Sequence, residues 1–280
     1  MTAIQDVTTI VSVNWLYEHI NNDNIVVLDA TLSKATERGR HKLNDYIPGT
    51  RFFDIKDTFS DGNAPFPNTM ISAKEFETAA RELGINTNST IVVYDVYGIY
   101  SSARAWYMFR SMGHENIAVL NGGLPAWNAN HYLTEEYKEY KGKKGNLEVK
   151  YNDAFFKDYN YLLKNLMEVN KIIIDARSTD RFKGHVPEPR PGLRKGHIPN
   201  SENIPYGNLL EKGFLKDKES LQAIFEAYKN KDELIFSCGS GVTACILALG
   251  AEISGIKNYS VYDGSWTEWG SLGQLPLQRD

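Results

Sequence analysis

The sequence predicts an α/β protein built as two tandem domains, each a mainly parallel sheet flanked by helices. Two observations carry that expectation. One order of motifs is written twice along the chain, and within each copy short β-branched runs alternate with helical patterns. Four ordered pairs display the duplication. Ile25-Val26-Val27-Leu28-Asp29 matches Ile172-Ile173-Ile174-Asp175, and Tyr46-Ile47-Pro48-Gly49 matches Gly196-His197-Ile198-Pro199-Asn200. Ile91-Val92-Val93-Tyr94-Asp95 matches Leu234-Ile235-Phe236-Ser237-Cys238. Gly113–Gly123 matches Gly255–Ser265, and each of these is followed at equal spacing by a tryptophan, Trp127 or Trp269.

Each element has its local reason. In the first copy, Ile25–Asp29 is an apolar strand ending on an acid. Ser72-Ala73-Lys74-Glu75 has the spacing of a capping box, and residues 73–83 are rich in helix formers, so a helix starts there. The run ending at Asp95 is a second strand, and residues 101–112 follow it as a buried helix. The second copy repeats this order, with a strand ending at Asp175, a helix over 220–229, a strand ending at Cys238 and a buried helix over 242–253. Between the copies, Tyr140-Lys141-Gly142-Lys143-Lys144-Gly145-Asn146 is polar and reads as the connection. The domains are therefore expected at 20–138 and 167–278, with a linker over 139–166. In parallel sheets ligands bind beyond the carboxyl ends of the strands, where Asp95 and Cys238 stand in their respective copies.

Composition narrows the function classes. A net charge of −4 offers nothing to nucleic acid or to an anionic membrane surface. No stretch approaches the roughly 18 apolar residues of a membrane span. Residues 1–20 lack a basic start and a long apolar core, so no secretory signal is expected. Two cysteines, Cys238 and Cys245, cannot make a disulfide framework, which points to a reducing compartment and a cytoplasmic protein. No metal is expected, because His197 has no partner cysteine or histidine at ligand spacing.

The chemistry concentrates in Cys238-Gly239-Ser240-Gly241-Val242-Thr243. Strand, cysteine, glycine turn and helix together mount a nucleophile on an anion cradle. Successive amides from Gly239 to Thr243 can point inward, and the following helix adds its positive end. Such a cradle stabilises a thiolate, and equally a persulfide anion once the cysteine has taken up sulfur. Set against this is a small buried cysteine at a tight turn, the usual fate of a free cysteine. Cys245, inside an apolar helix, is read that way, whereas the turn context favours a chemical role for Cys238. A cysteine phosphatase would need an arginine at the far end of the loop, where Ala244 stands.

The tandem halves, the Ile-Pro signatures, the Cys-Gly-Ser-Gly-Val-Thr loop and the closing Ser265-Trp266-Thr267-Glu268-Trp269-Gly270 resemble the two-domain sulfurtransferases of the rhodanese superfamily, over most of the chain. The loop is most similar to that of the 3-mercaptopyruvate branch. The thiosulfate branch typically carries arginine and lysine where Gly239 and Ser240 stand. The resemblance implies two rhodanese-like domains, with the second catalytic and the first, having Asp95 at the cysteine position, non-transferring. It implies Cys238 and Ser240 as catalytic residues, Gly239, Gly241, Val242 and Thr243 as the persulfide loop, and Arg181 and Arg190 as substrate anchors. Arginine suits a carboxylate beside a keto group because its planar fork binds two oxygens at once. On the residues alone, the stretch 181–190 reads equally well as a solvated charged loop.

The implied reaction moves sulfur from a small-molecule donor, 3-mercaptopyruvate, to a thiol such as thioredoxin or to cyanide, through a Cys238 persulfide and without a cofactor. Thiosulfate as the donor, and a non-enzymatic sulfur-relay or binding module, are the alternatives. Two first-half positions depart from the family pattern. Lys56 stands where an acid is expected and Asn68 where a histidine is expected, so the serine–histidine–acid relay is incomplete. His185, between the two arginines, is a candidate substitute. His197 is expected to be structural, and Trp266 and Trp269 to be core or pocket wall.

Overall fold

The computed structural model describes residues 7–37 and 45–280. The first half contains β1 (Ile10–Val11), α1 (Val13–His19), β2 (Ile25–Asp29), β3 (Arg51–Phe52), α2 (Ala73–Glu82), β4 (Thr90–Tyr94), α3 (Ser102–Ser111), β5 (Ile117–Leu120) and α4 (Gly123–Ala129). The second contains β6 (Phe156–Lys157), α5 (Tyr159–Asn165), β7 (Lys171–Asp175), α6 (Thr179–Lys183), β8 (Ser201–Asn203), β9 (Leu210–Glu211), β10 (Phe214–Leu215), α7 (Lys218–Phe225), β11 (Glu233–Ser237), α8 (Ala244–Ser254), β12 (Tyr259–Tyr262) and α9 (Ser265–Trp269).

The first sheet runs β1-β5-β4-β2-β3 and the second β6-β12-β11-β7-β8. Every pairing in both is parallel, with Leu28 opposite Val93 in one and Ile174 opposite Phe236 in the other. The two orders are the same order, so the repeat in the sequence is a repeat of sheet topology. Helices cover both faces, which is why β2 and β4 are buried along their whole length and read as unbroken apolar runs.

The local expectations meet these elements with small displacements. Ser72 and Glu75 form the capping box of α2. The helix expected over 220–229 starts earlier, because the Asp217 carboxylate caps it by accepting from the Ser220 amide, and it tightens into a 3₁₀ turn over Glu226–Tyr228. The first sheet begins at Ile10, before residue 20. β6 and α5 occupy 156–165, within the stretch read as linker. The rest of that stretch is a strap docked on the first half. Gly145 donates to the Arg81 carbonyl, Leu147 to Ile85 and Lys150 to Met112, and the Leu147 side chain is buried. Docking satisfies backbone groups that composition alone would leave to water.

α3 and α8 pack against each other across the boundary between halves. Both are buried almost all round, and one apolar core runs continuously from Phe109 and Met108 to Ile246 and Leu249. The carboxyl ends of the two sheets thereby face a shared cleft. Among the described residues, no helix is long and apolar enough to cross a membrane.

Candidate active site

Cys238 follows β11 directly, and its residue is only 1% exposed. The Cys238 amide donates to Ser265 Oγ at 3.1 Å, and the Cys238 carbonyl accepts from Trp266. The start of α9 thus fixes the cysteine backbone. The chain then turns at Gly241, which has φ of +74° and where a Cβ would meet the Asp263 carbonyl at 2.7 Å, so only glycine fits. The amides of Gly239 through Thr243 have no acceptor among the described residues, and they open α8.

The first half shows what such a loop holds. The Asp95 carboxylate accepts from the amides of Tyr97 (2.9 Å), Tyr100 (2.8 Å) and Ser102 (2.9 Å), and from Ser102 Oγ (2.6 Å). A strand-end anion in this fold is therefore wrapped by its own loop amides. By the repeat, Cys238 occupies the place of that anion, with its loop amides free to receive one.

The cleft above Cys238 encloses about 930 Å³ and is lined by residues from both halves, including Asn68, Tyr100, Arg181, Arg190 and Tyr206. Ser240 sits at its floor. Its Oγ accepts from Asn68 Nδ2 at 2.9 Å and from Arg190 Nη2 at 3.3 Å. Arg181 and Arg190 both overhang the loop: a Cβ on Gly239 would lie 3.2 Å from Arg181 Nη2 and 4.0 Å from Arg190 Nη1. Absence of a side chain at 239 makes room for these cations.

The two arginines differ in their state. Arg181 donates to both oxygens of Glu188, which also accepts from Arg177 Nη1 at 2.9 Å. Arg190 has no carboxylate partner among the described residues, and burial holds its guanidinium below the usual range. A half-buried cation with no bonded carboxylate is well placed to take an anion. Burial, and then the nearby Cys238 sulfur, raise the Tyr100 hydroxyl, so it stays protonated and able to donate. Burial pushes the Cys245 thiol up to about 12, and its Sγ donates to the Gly241 carbonyl at 3.3 Å, so it is a structural thiol.

The structure brings Cys238, Ser240, Arg181 and Arg190 together, with Val242 and Thr243 also lining the cleft. His185 does not join them: it is exposed beside Asp180 at 3.7 Å and does not line the cleft. It is too far out on the surface to substitute for the missing relay histidine. Lys56 sits at the rim, exposed and next to Asp57, whereas Asn68 reaches Ser240 directly. His197 is buried, stacked on Phe182, with Nδ1 against the Phe182 carbonyl. Trp266 and Trp269 are buried and donate to the carbonyls of Arg194 and Pro276.

Sequence reasoning missed Glu188 and Arg104. Glu188 organises Arg177 and Arg181, and its signal was an acid set between two arginines. Arg104 is fully buried on α3 and crosses to the second half, where it donates to the Gly241 carbonyl (3.2 Å) and to Asp263 (2.7 Å). It also donates to the Asn68 carbonyl at 2.8 Å. An arginine set among Ala103, Ala105, Trp106 and Tyr107 was the available sign.

Comparison with known proteins agrees with this architecture. The rhodanese-like domain family matches residues 12–130 and again 158–272. A 3-mercaptopyruvate sulfurtransferase of Escherichia coli K12 is 38% identical over 97% of this chain and 98% of its own. A thiosulfate sulfurtransferase of Rattus norvegicus is 37% identical over 93% and 91%, so identity by itself does not separate the two branches. The crystal structure of SseA from Escherichia coli, described in terms of the rhodanese fold and mechanism of 3-mercaptopyruvate sulfotransferases, superposes with a TM-score of 0.83 at 36% identity, covering 93% of this chain and 99% of that one. With both halves matched, the chain belongs to the rhodanese-like family and carries two such domains in tandem.

Proposed function

We propose that the protein is a 3-mercaptopyruvate sulfurtransferase with Cys238 as its nucleophile. The observation that carries this reading is a buried cysteine at a cradle of amides without acceptors, faced by Arg190, a cation with no carboxylate bonded to it, both among the described residues. Arg190 and Arg181 would hold the substrate carboxylate and keto oxygen while the sulfur lies over Cys238. The thiolate attacks that sulfur, an S–S bond forms and the C–S bond breaks, its electron pair leaving as the enolate of pyruvate. The substrate's thiol proton balances the enolate's need for one, so the products are pyruvate and a Cys238 persulfide anion held by the loop amides. An acceptor thiolate, such as that of a thioredoxin, or cyanide, then takes the outer sulfur and restores the thiolate. This chemistry suits a reducing, cytoplasmic setting.

Intact mass after incubation with 3-mercaptopyruvate is the direct test. Wild type should gain one sulfur and the Cys238→Ser variant none; transfer that survives in the variant defeats the mechanism. The arginines over Gly239 also favour a second donor, thiosulfate, because a dianion is drawn to two cations. Specificity constants for the two donors decide between them. A strong preference for thiosulfate overturns the substrate assignment while leaving Cys238 as nucleophile.

A further inference from the structure

We propose that Asn68 is a positioning residue that makes Ser240 an obligate hydrogen-bond donor toward the ligand held over Cys238. The inference rests on the sulfur-transfer reading and adds to it what the first half contributes. Asn68 Nδ2 lies 2.9 Å from Ser240 Oγ and 3.3 Å from the Ser240 carbonyl. The carbonyl can only accept, so the amide must present its NH₂ group there rather than its oxygen. Arg190 Nη2, which can only donate, approaches the same Oγ at 3.3 Å. A hydroxyl has two lone pairs and one proton, and both lone pairs are thereby engaged. The Ser240 proton has no acceptor among the described residues, and Ser240 is at the cleft floor. Its remaining direction is the ligand.

A histidine at 68 would leave the polarity of Ser240 to its tautomer, whereas the amide fixes it. Ser240 therefore acts by donating to the oxygen on which charge develops as the C–S bond breaks, and not by passing its proton to a base. Asn68 has φ of +62°, a left-handed conformation that asparagine, aspartate and glycine accept, and its carbonyl is held by Arg104.

The test compares Asn68→Asp, Asn68→Gly and Ser240→Ala, with the double variant Asn68→Asp/Ser240→Ala, using kcat and KM on both 3-mercaptopyruvate and thiosulfate. Both substitutions at 68 keep the backbone conformation. Aspartate keeps the size but only accepts, so it draws the Ser240 proton away from the ligand. kcat should fall about 10²–10³-fold, as for Ser240→Ala and for loss of one oxyanion donor elsewhere. Glycine removes the amide but leaves the hydroxyl free to turn to the ligand, for a loss of less than about tenfold. The double variant should be no slower than Ser240→Ala. A merely structural asparagine predicts the reverse order, with the isosteric aspartate milder than glycine, and that order overturns the proposal. So does an aspartate effect of the same size with and without Ser240, which would mark simple charge repulsion. Alkylation of Cys238 by iodoacetate relative to iodoacetamide should follow the same order. That readout needs no sulfur transfer, so it judges Asn68 even if both sulfur donors fail.

Discussion

Asp29 shows how one side chain makes the two halves unequal. In the second half Asp175 is neutralised by Arg177 two residues on, bonded at 2.7 Å. The corresponding position in the first half is Thr31, which donates to Asp29 through its amide and hydroxyl but brings no charge. Burial then raises the Asp29 carboxyl to about 6 from 3.8. Between those values the folded protein holds a proton that the unfolded chain has lost. Unfolding free energy contributed by this group therefore falls as pH rises from 3.8 through about 6 and stays low above it, by about 3 kcal/mol in all. Asn68, Arg190 and Asp29 are all residues whose neighbours, not their identity, set their behaviour. Asp29→Asn keeps an acceptor for Thr31 and should raise stability at pH 8 but not near pH 4. Denaturant titrations at the two pH values check this, and equal gains at both would contradict it.

At the scale of elements, strand–loop–helix units do the work. β4 and β11 end at equivalent points, and each is followed by a loop of inward amides and a buried helix. One loop's amides close on its own carboxylate, and the other's have no acceptor among the described residues, with the cleft open above the Cys238 sulfur. Gly241 sets the second loop's turn, so Gly241→Ala combines a left-handed strain with a clash against the Asp263 carbonyl. A loss of about 1–3 kcal/mol, read by denaturant unfolding, is expected, with sulfur transfer reduced because the amides no longer converge. This much was legible early. The strands, the capping box of α2, the buried helices and the cysteine loop all follow from local pattern. The docked strap over 139–155 was not, because its polar residues hide backbone hydrogen bonds to distant segments.

For the whole molecule, the halves form one unit. The core is continuous through α3 and α8, and the β9–β10 hairpin reaches back so that the Leu215 amide donates to Asn121 Oδ1 at 2.9 Å. Arg104 ties the halves beneath the active-site loop through an ion pair with Asp263, whose other oxygen accepts from the Met70 amide. Removing one partner of a buried pair leaves the other uncompensated. Arg104→Met should cost about 3–5 kcal/mol by urea unfolding, with both halves lost in one transition. Two separated transitions in wild type would show that the shared core does not couple them.

The sequence by itself determined the duplication, the parallel α/β class, and the glycine loop at Cys238 with Asp95 at the equivalent strand end of the first copy. Each of these depends on short-range pattern and on side-chain chemistry, and both are written residue by residue. Only the tertiary structure decided what surrounds that cysteine. It brought Asn68 and Arg104 across from the other half, set Glu188 against Arg181 and left Arg190 with no carboxylate bonded to it among the described residues. It also removed His185 to the surface. These are contacts between residues far apart in the chain or on opposite sides of a loop. Their partners and charge states follow from packing and burial, which no local pattern contains.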